Sequence, residues 1–81
     1  RFQEAEDDCT KALNLDDRYI KAYSRRATAR KELRKLRDSL ENIEFALRLE
    51  PQNEELKKQR VDVKSLFEKV TFFTLIKPNH I

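Results

Sequence analysis

The sequence contains no glycine, no methionine and no tryptophan, and only two prolines. Without glycine the tight turns of a β-fold lose their usual residue, so a sheet built on hairpins is a poor reading. The single cysteine, Cys9, has no partner for an intramolecular disulfide, and the single histidine, His80, stands far from it in the chain. Neither a disulfide scaffold nor a Cys/His metal site can be assembled from these residues. A lone cysteine suits a reducing compartment, cytoplasmic or nuclear. No apolar run reaches the length of a membrane span and no signal peptide is visible, so no membrane partner is expected.

Charge and helix-forming apolar residues are what the chain has in quantity. Of its 81 residues, 41% are charged and 38% hydrophobic, with a net charge of +3. A disordered tail would carry less Leu, Phe and Val. Length limits the chain to one domain at most, and the absence of an initiating methionine reads as a piece of something longer. The modest positive charge permits acidic partners without demanding nucleic acid.

Helical spacing recurs along the chain. Ala5, Cys9, Ala12 and Leu13 form one stripe over residues 3–15, and Asp16 or Asp17 can cap the next helix. Tyr19, Ala22, Tyr23, Ala27, Ala29 and Leu33 cover a broad face over residues 18–33. After Arg34-Lys35, a third helix runs through Leu36, Leu40, Ile43, Ala46 and Leu47 over residues 36–49. Glu50-Pro51-Gln52-Asn53 breaks the pattern, with Asn53 a cap for a fourth helix over residues 54–70 that carries Leu56, Val63, Leu66, Phe67 and Val70. Short connections make neighbouring helices antiparallel.

Sliding the chain against itself by 34 residues superposes Phe2 on Leu36, Ala5 on Ser39, Cys9 on Ile43, Ala12 on Ala46, Leu13 on Leu47 and Leu15 on Leu49. A helix–turn–helix unit of that period resembles the tetratricopeptide repeat. Tyr23 falls at its large aromatic position, Ala27 and Ser39 at its small ones, and Pro51 at its closing proline. Three positions depart from the usual pattern: Arg30 for an aromatic, Asp17 for a proline, Ala27 for glycine. The fold so implied is all-α, a tetratricopeptide-repeat helical solenoid fragment. Residues 1–19 are the second half of a repeat, 20–53 a complete repeat, 54–70 a capping helix and 71–81 an apolar C-terminal tail. That tail could extend the last helix or dock as a strand, and its Phe72, Phe73, Leu75 and Ile76 suit packing on protein.

The stretch KAYSRRATAR, residues 21–30, poses the functional question. Lys21 and Arg25 stand one helical turn apart, opposite Tyr23 and Ala27, where two side chains can hold one ligand. The stretch is also similar to the third-repeat helix of carboxylate-clamp tetratricopeptide domains, and the wider run AEDDCTKALNLDDRYIKAYSRR to co-chaperones of the RNA-polymerase-II-associated and sperm-associated-antigen type. That resemblance implies a non-enzymatic interaction module that binds the acidic C-terminal tail of a heat-shock chaperone, with Lys21 and Arg25 as peptide-carboxylate-binding residues and no cofactor. In the family, further clamp residues come from the two preceding repeats, which would lie upstream of Arg1.

Arg26 and Arg30 fall on the apolar side of their helix, so their stems should pack there while their heads reach acids, Asp7 and Asp8 being the candidates. Cys9 reads as a small core residue rather than a nucleophile, and the cluster Glu4, Glu6, Asp7, Asp8 as a solvated face. The basic run RRATARKELRKLR lacks interleaved aromatics for stacking bases, which argues against nucleic acid. A scaffold repeat binding some other peptide remains the alternative, and the exposed part of the first stripe leaves room for self-association.

Overall fold

The computed structural model describes residues 1–76, and the side chains of residues 1–73. Four helices follow one another: α1 Phe2–Leu15, α2 Ile20–Glu32, α3 Leu36–Leu49 and α4 Glu54–Ile76. Each packs on the next, and α2 also touches α4. Among the described residues no helix is long and apolar enough to cross a membrane.

The apolar stripes dictate the core. Cys9 and Leu13 of α1, Ala22, Tyr23 and Ala27 of α2, Leu36, Ile43, Ala46 and Leu47 of α3, and Leu56 and Val63 of α4 form one buried cluster. Small residues allow the closest approach. Ala27 and Ser39 are both fully buried, and the Ser39 hydroxyl donates to the Ala27 carbonyl at 2.8 Å. A larger residue at either position would separate α2 from α3. Ala5 and Ala12 are half-covered, whereas Phe2 and Leu15 stay exposed.

The 34-residue period is written into the backbone. Asp16 N donates to Ala12 O and Glu50 N to Ala46 O, both at 2.9 Å, and Tyr19 N donates to Asp16 O as Asn53 N does to Glu50 O. Helix starts obey the same offset, Phe2 with Leu36 and Ile20 with Glu54. So do buried positions, Ala22 with Leu56 and Ala29 with Val63. α4 therefore begins as a copy of α2, and Lys21 and Arg25 of α2 correspond to Glu55 and Gln59 of α4.

The two helix entries are built differently. Asn53 Oδ1 accepts from Leu56 N at 2.9 Å, the expected side-chain cap. Neither Asp16 nor Asp17 caps α2, whose N-cap is Tyr19 with no side-chain bond. Asp16 Oδ1 accepts instead from Arg18 N at 3.1 Å, and the Tyr23 hydroxyl donates to Asp17 O at 2.7 Å. The second of these bonds ties the turn to α2 one turn further in.

α2 ends in a left-handed turn. Lys35 N reaches Arg30 O at 2.8 Å, Arg34 N reaches Lys31 O at 3.0 Å, and Arg34 carries φ of 66°. That conformation is the usual place for glycine and costs other residues about 1–2 kcal/mol.

The fourth helix runs longer than residues 54–70: it continues to Ile76, so residues 71–76 of the expected tail are helical. Nothing in VTFFTL breaks a helix, and the next proline after Pro51 comes at Pro78. α4 thus passes straight through Glu68, the position one period after Arg34, where α2 turns. Its inner stripe outruns α3. Leu56 and Val63 are buried, Leu66 and Phe67 half-buried, and Val70 and Phe73 are 56% and 63% exposed. His80 lies outside the described residues.

Candidate functional site

α2 buries Ala22, Tyr23, Ala27 and Ala29, which turns Lys21 and Arg25 outward on its opposite side. Both are exposed, and neither takes part in an ion pair among the described residues. With Ser24 and Glu55 they line a cavity of about 230 Å³ between α2 and the first turn of α4. Pockets for drug-sized ligands run to roughly 300–1,000 Å³, so this smaller cleft suits one end of a chain.

Polar bonds between α2 and α4 hold the cleft in shape. Ser24 Oγ donates to Gln59 Oε1 at 3.0 Å, while Gln59 Nε2 donates to Ser24 O and Thr28 Oγ1, both at 3.1 Å. One turn further, Lys31 Nζ pairs with Asp62 Oδ2 at 3.0 Å. The pairing of Ser24 with Gln59 leaves the two cations as the donors free to meet a ligand, since a Lys and an Arg side by side can share one carboxylate in charge-assisted bonds. Among the described residues, Glu55 is the one carboxylate lining the cleft. Its position suits the positive end of the α4 dipole, and its place beside Lys21 follows from the 34-residue offset, which makes it the counterpart of Lys21 on α4.

Arg26 and Arg30 are held from behind, though not by Asp7 and Asp8. Arg30 Nε donates to Glu6 Oε2 at 2.6 Å, and Lys35 Nζ to Glu6 Oε1 at 2.8 Å. Glu6 is therefore no part of a solvated face. It is 7% exposed and joins α1, α2 and the entry to α3. Its bonds from Lys35 and Arg30 lower its pKa from 4.5 to about 2. Among the described residues Arg26 meets no carboxylate: its Nε donates to Asn42 Oδ1 at 2.8 Å and its Nη1 to Thr10 Oγ1 at 3.1 Å. Burial pulls its pKa below the ordinary value, with neighbouring Arg30 adding to the effect. Asn42 Nδ2 in turn donates to Tyr23 O. Asp7, the expected acid, accepts from Gln3 at 3.1 Å on the outer side of α1.

Cys9 lies in the core, where burial raises its thiol pKa, and a thiol held protonated there is a packing residue. No group of side chains able to hold a metal ion occurs among the described residues.

No protein-family model matches the chain. Solved structures do. The tetratricopeptide domain of Arabidopsis OM64 superposes on 79% of the chain with a TM-score of 0.75 and 44% identity, the match covering 53% of that domain. The fold is that of a tetratricopeptide-repeat fragment, the same all-α arrangement as in this domain. The second tetratricopeptide domain of human RPAP3, solved with the HSP70 peptide SGPTIEEVD, matches 78% of the chain at a TM-score of 0.74 and 43% identity, over 52% of that domain. Mouse RNA polymerase II-associated protein 3 is 47% identical over 53 residues, which are 65% of this chain and 8% of that protein. The chain thus spans about half of the solved domains it matches and a small fraction of this curated relative. By the 34-residue offset of helix starts, α3 corresponds to α1 and α4 to α2. Lys21 and Arg25 stand on α2, on the side that faces the cleft with α4.

Proposed function

We propose that this chain is a peptide-binding part of a co-chaperone, taking the acidic C-terminal tail of a heat-shock chaperone at Lys21 and Arg25. The observation that carries the reading is a pair of cations, in no ion pair among the described residues, that line one cleft between α2 and α4. The HSP70 peptide in the related RPAP3 domain supports it, because that peptide ends in two glutamates, a valine and an aspartate. A chain-terminal aspartate offers two carboxylates close together, which suits an Arg next to a Lys better than any single internal acid. Binding of this kind needs no catalytic group, and the role is non-enzymatic. A cytoplasmic or nuclear location suits the lone Cys9 thiol.

The basic run RRATARKELRKLR supports a nucleic-acid reading less well. Arg26 is engaged with Asn42 and Thr10, Arg30 and Lys35 with Glu6, and Lys31 with Asp62. Four of its seven basic residues thus have intramolecular work.

Fluorescence anisotropy with labelled SGPTIEEVD tests the proposal. Arg25→Ala should lose about 1.5–3 kcal/mol, the value of a hydrogen bond to a charged group, or roughly 10- to 150-fold in affinity. Unchanged affinity in Arg25→Ala and Lys21→Ala would leave a scaffold that binds some other peptide.

Glu55 gives a second expectation with the opposite sign. As a fixed negative charge lining an anion-binding cleft, it opposes an acidic tail. Glu55→Gln should tighten the same peptide by roughly threefold at low salt, within the range of an exposed charge interaction. Added salt should shrink the gain. Weaker binding in Glu55→Gln would mean that the carboxylate accepts a bond from the peptide.

A further inference from the structure

A second surface lies away from the Lys21–Arg25 cleft, where the start of α3 meets the C-terminal half of α4. Arg34, Lys35, Leu36, Arg37, Asp38, Phe67 and Val70 line a cavity there of about 310 Å³. Its floor is apolar. Phe67 and Val70 continue the stripe that buries Leu56 and Val63, and Phe73, another three residues on, is left exposed because α4 outruns α3. The uncovered stripe is therefore the inner face of α4, carried past the helix that covers it.

Its rim is cationic. Arg34 and Arg37 form no ion pair among the described residues, whereas Lys35 is committed to Glu6. The Arg37 guanidinium lies 5.9 Å from the centre of the Phe67 ring, so one arginine covers part of the floor and remains able to meet an anion. Arg34 is the more telling residue. It holds φ of 66° at the end of α2, a position where glycine would be free of strain. Strain at an exposed arginine that lines a cavity points to a use for its side chain.

We propose that this surface docks an acidic amphipathic helix of a partner protein, with its apolar residues on Phe67, Val70 and Phe73 and its carboxylates on Arg34 and Arg37. Charge complementarity selects this occupant. A basic or neutral helix would leave both arginines facing apolar or like-charged groups, and Asp38 is the only acid at the rim among the described residues. The site is independent of the cleft between α2 and α4, so the chain would hold a peptide end and a helix at once.

The probe is an acetylated and amidated helical peptide with Leu and Phe on one face and Asp and Glu along its edges. Amidation removes the free carboxylate that the Lys21–Arg25 cleft would take. Titration into the full chain, followed by amide NMR, should give saturable shifts centred on Arg34, Arg37, Phe67 and Val70. Arg37→Ala should weaken binding by about tenfold, as should replacing the probe's acids by Asn and Gln, a loss typical of one charge-assisted contact. Arg34→Gly is the decisive variant, because it relaxes the backbone while removing the charge. Its thermal midpoint should not fall below that of the parent, yet its affinity should drop by about tenfold. Absence of saturable shifts, or unchanged affinity in both arginine variants, overturns the proposal. So does concentration-dependent self-association that produces the same shifts without peptide, which would make a second copy the occupant.

Discussion

Glu6→Gln is expected to lower the unfolding midpoint by about 10 °C at pH 7 and to make little difference at pH 2. The carboxylate accepts from Arg30 at 2.6 Å, from Lys35 at 2.8 Å and from Gln3 at 3.0 Å, in a position 7% exposed. Removing one partner of a fully buried ion pair costs about 3–5 kcal/mol. Arg30 and Lys35 keep 21% and 40% of their side-chain surface, so water can recover part of the loss. About 2 kcal/mol, the ordinary value of hydrogen bonds to a charged group, is the better figure. In a domain of this size each kcal/mol moves the midpoint by roughly 4–8 °C.

The pH dependence carries the sign. Glu6 has its pKa lowered from 4.5 to about 2 on folding. The unfolded chain therefore binds its proton more readily, and stability from this group is complete above the unfolded value. It is lost as pH falls from 4.5 through about 2. Thermal melts at pH 7 and pH 2 measure both effects. An equal gap between parent and variant at the two pH values would show that Glu6 acts through shape rather than charge.

A second large effect is expected at Ala46. It is fully buried in the seam between α3 and its neighbours, and Ala12 precedes it by one period. Ala46→Leu forces extra carbons into a packed contact and should cost roughly 1–3 kcal/mol. Ala12 is only half-buried, so Ala12→Leu should cost less than half as much. The ratio of the two tests the register, because a general dislike of leucine would affect both alike. A midpoint for Ala46→Leu at or above the parent's would place this residue outside the seam.

Much of the architecture is legible in the sequence because it rests on period and spacing. The boundaries of α3, residues 36–49, follow from a proline on one side and two basic residues on the other. Asn53 announces itself as a cap by type and place. The end of α4 is not legible, since residues 71–76 are β-branched and aromatic yet contain no breaker, and the helix has already formed upstream. Propensity gives way to continuation.

The polar interior is harder to read. Glu6 sits among three other acids, and no composition rule separates the one that faces inward. Its burial depends on where Arg30 and Lys35 arrive after two turns of chain. Arg26 illustrates the same limit. Helical spacing puts its stem on the apolar side, but Asn42 and Thr10, not an acid, receive its head. In the candidate site, Lys21 and Arg25 can be read from one-turn spacing, whereas Glu55 requires the offset of 34 residues to be carried one helix further. Applied to α4 in the sequence alone, that offset sets Glu55 against Lys21 and Gln59 against Arg25.

Whether Arg25 meets the free carboxylate at the end of an acidic tail is tested most directly by a double-mutant cycle. SGPTIEEVD with a free and with an amidated C-terminus is titrated against the parent and against Arg25→Ala. Each change alone should weaken binding, and making both should cost little more than one. A coupling of about 1.5–3 kcal/mol between them is the predicted result. Losses that simply add, with coupling near zero, would show that Arg25 and the terminal carboxylate do not meet.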